Sequence, residues 1–149
     1  MQGENYTLLT VELKRDEGVR RVPYKDTKGI DTVAVGHNLQ AKPLPNAVYP
    51  LTDAAIDSIL YADLCDVFSD LDSHLPWWQD LNDVRQRVLA NMCFNLGITK
   101  LGGFMNTLAA MRQGRWADAS AGMLNSAWAS QVGDRAKRLA QMMKTGVCA

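Results

Sequence analysis

The apolar residues Ile56, Leu60, Leu64, Val67, Leu71 and Leu75 recur at intervals of four and three, and no other feature constrains the fold of this chain so much. Such spacing draws one stripe along a helix of about twenty residues, a rod of roughly 30 Å. Thr52 offers an N-cap with Asp53 in the first turn, and Pro76 offers a stop. A rod of that length can tie a small N-terminal lobe to a larger second one.

Upstream of the rod, Leu8, Leu9, Val11 and Leu13 alternate with Glu12, Lys14 and Arg15 in the manner of a short helix over residues 6–16, which Gly18 ends. Glu17 then falls in its last turn, where the negative end of the helix dipole favours the neutral, proton-donating carboxyl. From Arg20 to His37 the pattern changes to strands, with Lys25-Asp26-Thr27-Lys28-Gly29 as the turn of a hairpin. In the returning strand, period two sends Val33 and Val35 toward a core and leaves Thr32, Ala34 and Gly36 on a small, slightly polar face that a ligand could approach. Asn38 to Pro50 holds three of the five prolines and reads as a loop.

Downstream, Asn82 and Asp83 open a helix whose Val84, Val88, Leu89, Met92, Cys93 and Leu96 run to Gly97. With few polar positions after Val88, it is the expected core helix of the second lobe. Three further helical stretches follow at about 106–113, 116–128 and 134–144, separated by Gly114 and Gly133. The fold class is α+β, mostly helical with one small sheet, in a single folding unit.

Composition narrows the function classes. Net charge is zero, which argues against binding nucleic acid by general electrostatics. The charge is unevenly spread: seven Lys/Arg against thirteen Asp/Glu through Asn82, then nine against three. The second half could therefore face a polyanion, although solubility alone explains such asymmetry. Cys65, Cys93 and Cys148 form neither a CxxC pair nor a metal-ligand spacing, and Cys65 and Cys93 fall in apolar patterns where a thiol is a small core residue. A reduced, cytoplasmic place of synthesis is expected. No run resembles a signal peptide or approaches the length of a membrane span.

Glycosidic hydrolysis needs a carboxylic acid on the leaving oxygen and a second carboxylate on the other face of the sugar. Glu17 and Asp26 could serve, with Thr32 orienting water. Taken alone, each has an ordinary explanation: Asp26 as a turn residue, Glu17 as a solvated helix end.

The spacing of Glu17, Asp26 and Thr32 within DEG, YKDTKG and a strand ending in GH resembles that of the phage-type lysozymes of glycoside hydrolase family 24. The resemblance continues in DVRQRVLANMCFNLG (83–97), GGFMNTL (102–108), GRW (114–116) and DRAKR (134–138), in order along nearly the whole chain. It implies that Glu17 is the general acid, Asp26 the base of an inverting mechanism and Thr32 a residue that helps place the attacking water. Arg135 matches an arginine that pairs with the acid across a cleft. His37 matches a histidine paired with a carboxylate early in the long helix, for which Asp63 is the counterpart. Asn38, Phe94 and Thr107 match positions that touch saccharide. Gly122 stands where the family offers a substrate-contacting asparagine, so that hydrogen bond is absent or comes from Asn125.

The fold implied is lysozyme-like: one domain over 1–149, with a small lobe at about 16–55, a connecting helix at about 52–75 and a helical lobe at about 76–149 packed with helix 5–17. The function implied is a phage or prophage endolysin, a muramidase acting on bacterial peptidoglycan with no metal or other cofactor. It would be a monomer made in the host cytoplasm that reaches the wall after a holin breaches the membrane. Two rivals come from other classes. A peptidoglycan-binding module would not need the acid, and a membrane-active protein would use a basic amphipathic helix at Arg135–Lys144.

Overall fold

The computed structural model describes residues 1–148. The elements run α1 (Gly3–Glu17), β1 (Arg20–Lys25), β2 (Asp31–Ala34), β3 (His37–Asn38), α2 (Asp53–His74), a 3₁₀ turn (Pro76–Asp80), α3 (Asp83–Leu96), α4 (Ile98–Gly102), α5 (Met105–Arg112), α6 (Trp116–Leu124), α7 (Ala127–Val132) and α8 (Asp134–Thr145). The architecture is α+β and mostly helical. It resolves into two compact units, one over residues 1–66 and one from Val67 onward, and α2 runs through the division.

In the first unit the three strands form an antiparallel sheet in the order β1-β2-β3. Tyr24 pairs with Thr32 and Lys25 with Asp31, and the pairing is irregular between Arg20 and Tyr24. The returning strand departs from simple alternation, since Thr32, Val33, Ala34 and Val35 are all buried. The departure has a backbone cause: Ala34 takes φ +57°, which ends β2 and turns the chain through Val35 and Gly36 into β3. β3 itself is two residues taken from what reads as loop in the sequence. Leu9, Leu13, Val33, Val35, Leu51, Ile56, Leu60 and Leu64 are this unit's large buried apolar residues. At roughly 1.5–3 kcal/mol for each fully buried large aliphatic side chain, they dominate its stability.

Thr52 caps α2 as expected, its Oγ1 accepting from Ala55 N–H at 3.1 Å. Of the stripe, Ile56 to Leu71 is buried and Leu75 is half-buried. Pro76 ends the α-helix by opening the 3₁₀ turn that carries Trp77 and Trp78. Trp78 is buried, its indole N–H donating to Asp72 at 2.7 Å. Cys65 is exposed, contrary to its expected core position, because it lies off the stripe.

In the second unit α3 is the core helix: every residue from Arg87 to Cys93 is buried. Asn82 caps it, accepting from Arg85 N–H at 3.0 Å. α4 is an additional short helix between α3 and the stretch read at about 106–113. The expected helix over 116–128 is two, because the Ser126 hydroxyl accepts from Ala129 N–H at 3.1 Å and starts α7 afresh. α6 packs against both α5 and α8, and α8 also packs on α3 and α7. Ala136, Leu139, Ala140, Met142 and Met143 of α8 are buried, so the apolar face that a membrane-active helix would present is occupied by the protein core.

Candidate active site

The first unit contains Glu17, Asp26, Thr32, His37, Asn38 and Asp63; the second contains Phe94, Thr107, Gly122 and Arg135. Glu17 is the last residue of α1, half-buried, with its side chain laid over Gly36. A β-carbon built on Gly36 would stand 3.0 Å from Glu17 Oε1.

Asp26 follows β1 and organises the hairpin turn. Its Oδ1 accepts from the backbone N–H of Lys28 at 2.8 Å and of Ile30 at 2.9 Å. Its own N–H donates to Ile30 O at 2.9 Å, which carries the ladder past Lys25. The structural role of an Asx turn is thus real, and it fixes the carboxylate in one orientation. Thr32 is buried on β2, and its hydroxyl donates to Ile30 O at 2.9 Å. Because Thr32 pairs with Tyr24, and Tyr24 and Asp26 alternate two residues apart, Thr32 and Asp26 project from one face of the sheet. An oriented carboxylate beside a hydroxyl is a place to hold and deprotonate water.

His37 is 4% exposed on β3 and lies between two acceptors. Nδ1 is 2.7 Å from Asp63 Oδ2, and Nε2 is 2.8 Å from Lys42 O. The hydrogen bond to Asp63 is the main cause of the raised His37 pKa, and the Lys42 carbonyl adds to it against the opposing effect of burial. Lys42 ties in further by ion pairs to Asp63 at 3.6 Å and to Asp66. The pair joins sheet to helix and leaves no unbonded ring nitrogen for proton transfer. Asn38 is half-buried, its Oδ1 accepting from Gln40 and Ala41 N–H, each at 2.9 Å.

In the second unit Arg135 is buried, donating from Nε at 2.9 Å and Nη2 at 2.8 Å to Asn91 Oδ1. Phe94, one turn beyond Asn91, is half-buried. Thr107 on α5 and Gly122 on α6 are in contact, and both line a cavity of about 280 Å³ with Asn106, Ala110, Arg115 and Asp118. A β-carbon at position 122 would come within 2.2 Å of Thr107 Oγ1. Among the described residues no three His, Cys, Asp or Glu side chains gather as a metal-binding group, and no helix is long and apolar enough to cross a membrane.

Sequence does not single out Asn91 beside Arg135 or Lys42 on His37, and it places Gly36 only on a small strand face, not beneath Glu17. Of the first two, only Asn91 left a local signal, as an amide inside an apolar helix.

A mostly helical chain whose small sheet carries an oriented carboxylate and hydroxyl, with a second carboxyl at an adjacent helix end, has the equipment of a glycosidase. Comparison with known proteins makes the class specific. The family described as phage lysozyme matches residues 14–144. The chain is 30% identical to the pre-baseplate central spike protein Gp5 of Enterobacteria phage T4, over 90% of this chain and 27% of that protein. It is 25% and 24% identical to probable T4-type lysozymes 1 and 2 of Dictyostelium discoideum, over 90% of this chain and 92% of each. The chain therefore belongs to the phage lysozyme family. It is a glycoside hydrolase of the lysozyme class. It spans little more than a quarter of the spike protein and nearly the full length of the Dictyostelium relatives.

Proposed function

We propose that this protein hydrolyses the β-1,4 bond between N-acetylmuramic acid and N-acetylglucosamine in bacterial peptidoglycan, with inversion. Glu17 donates its proton to the glycosidic oxygen as the bond to C1 breaks. Asp26 takes a proton from the water whose oxygen forms the new bond to C1, and Thr32 helps orient that water. One water is consumed and each carboxyl finishes with its proton state exchanged. The observation that carries the reading is Asp26: two backbone N–H groups hold Oδ1, and Thr32 shares its sheet face. Asn38, Phe94, Thr107 and Gly122 are taken as residues against the saccharide, Arg135 and the His37–Asp63 pair as supporting residues, and both units as one catalytic domain.

The experiment is digestion of purified peptidoglycan, with mass analysis of the products and NMR of the first anomer released. Reducing-end muramic acid, appearing initially as the α-anomer, is expected. A 1,6-anhydro end would replace hydrolysis by transglycosylation, and an initial β-anomer would make Asp26 a nucleophile instead of a base.

In its biological setting the protein serves as a phage or prophage endolysin, a monomer held in the host cytoplasm until a holin opens the membrane. The likeness to a central spike protein favours a second setting, in which the same chemistry belongs to a virion component. Protein analysis of purified virions separates the two: presence in particles favours the second, and presence only in infected-cell extracts the first.

A further inference from the structure

We propose that Gly36 is a positioning residue for the acid, its bare α-carbon setting where the Glu17 carboxyl stands; the inference rests on the role of Glu17 proposed above. The contact runs along the glutamate and is not confined to its tip. A β-carbon on Gly36 would lie 3.0 Å from Oε1, 3.1 Å from Cδ and 3.2 Å from Cγ.

Neither backbone is free to retreat. Gly36 sits at φ +60° in the turn from β2 to β3, which the Val33–His37 pair closes, and Ala34 at the start of that turn is paired with Arg20 of β1. The His37 ring is held in turn by Asp63 at 2.7 Å and the Lys42 carbonyl at 2.8 Å. On the other side, Leu13, one turn before Glu17 in α1, has no exposed surface, and Gly18 N–H bonds Lys14 O at 3.0 Å. The glutamate side chain lies between two fixed walls. A methyl group at position 36 is accommodated only by turning Glu17 about its own bonds, which carries the carboxyl away from its place by a few tenths of an ångström or more.

Such a shift matters for an acid, because the proton must travel along a hydrogen bond to the leaving oxygen. A misplacement of about 1 Å costs about a hundredfold in rate, so a loss of about tenfold is expected here. Gly36 thereby acts on turnover through Glu17 and leaves saccharide affinity untouched.

The test compares Gly36→Ala with Gly97→Ala. Gly97 also has a positive φ, +79°, but a β-carbon there meets nothing within 4 Å, so it reports backbone strain without the contact. On soluble peptidoglycan fragments Gly36→Ala is expected to lose about tenfold in kcat with KM within about twofold, while Gly97→Ala keeps kcat within about twofold. Thermal melts of Gly36→Ala, Glu17→Ala and the double variant supply the second readout. The Tm loss from Gly36→Ala is expected to be smaller in the Glu17→Ala background, where the obstructing side chain is gone. Unchanged kcat in a folded Gly36→Ala overturns the proposal, as does an equal Tm loss in both backgrounds. If Gly36→Ala folds only together with Glu17→Ala, the contact is demonstrated; if neither folds, it is refuted. Full activity of Glu17→Gln would remove the catalytic role of Glu17 separately, with the stability coupling still readable.

Discussion

The imidazole of His37 and the carboxylate of Asp63 meet at 2.7 Å, with side chains only 4% and 13% exposed, and the far ring nitrogen meets the Lys42 carbonyl at 2.8 Å. Two acceptors on opposite sides of one ring favour its doubly protonated form, which can donate to both.

A pH dependence of stability follows. The His37 pKa is raised in the folded protein, chiefly by the Asp63 hydrogen bond. Its contribution is therefore full below the unfolded-state value of about 6.5 and is lost as pH rises through the higher folded-state value. Melting the wild type and Asp63→Asn from about pH 5 upward should show the largest difference at the acid end, narrowing as the ring deprotonates. Removing one partner of such a buried pair costs about 3 kcal/mol there. A gap that widens with pH would contradict the assignment.

Glu17→Gln and Asp26→Asn should each lower release of reducing ends from peptidoglycan by about a hundredfold or more. Asp26→Asn retains the side-chain oxygen that accepts from Lys28 and Ile30 N–H, so its melting temperature should stay near wild type. Asp26→Ala loses both bonds and should cost about 1–3 kcal/mol as well as activity. Asn and Ala variants with the same stability would mean that the turn does not depend on Oδ1.

What sequence could and could not supply is visible in particular residues. The stripe from Ile56 to Leu75 repeats its message six times, and α2 spans Asp53–His74 much as its period requires. The buried centre of α3 is equally legible, because a long apolar stretch between Asn82 and Gly97 has few other places to go. β2 is different. Alanine gives no local sign of a left-handed backbone, so the end of the strand at Ala34 and the turn that sets Gly36 beneath Glu17 emerge only with the third strand. Arg135 and Asn91, 44 residues apart, likewise meet through the packing of α8 on α3.

The three thiols should divide by burial. Burial, helped by the charge of Asp70, pushes the Cys93 thiol up to about 12, whereas Cys65 and Cys148 are exposed. Since the thiolate is the reactive form, a thiol-specific disulfide reagent at about pH 8 should modify two cysteines per native chain and the third only in denaturant. Replacing Cys93 by Ala should remove only the reaction seen in denaturant; loss of a native-state reaction would mean that Cys93 is accessible.

Gly122 offers a test in which the sign of a stability change depends on one neighbour. In a helix interior Gly→Ala ordinarily stabilises by about 0.5–1 kcal/mol. Here the new β-carbon would approach Thr107 Oγ1 to 2.2 Å and Thr107 Cβ to 3.2 Å, and Thr107 is itself buried between α5 and α6. Rotating the hydroxyl relieves the first contact and leaves the second tight. Overpacking of this kind costs about 1–3 kcal/mol and outweighs the helical gain, so Gly122→Ala should destabilise. In a Thr107→Gly background Oγ1, Cγ2 and Cβ are all gone, and the same change should stabilise by up to about 1 kcal/mol. Chemical denaturation of the four proteins measures both steps. The same sign in both backgrounds would show that Thr107 is not what excludes a side chain at 122.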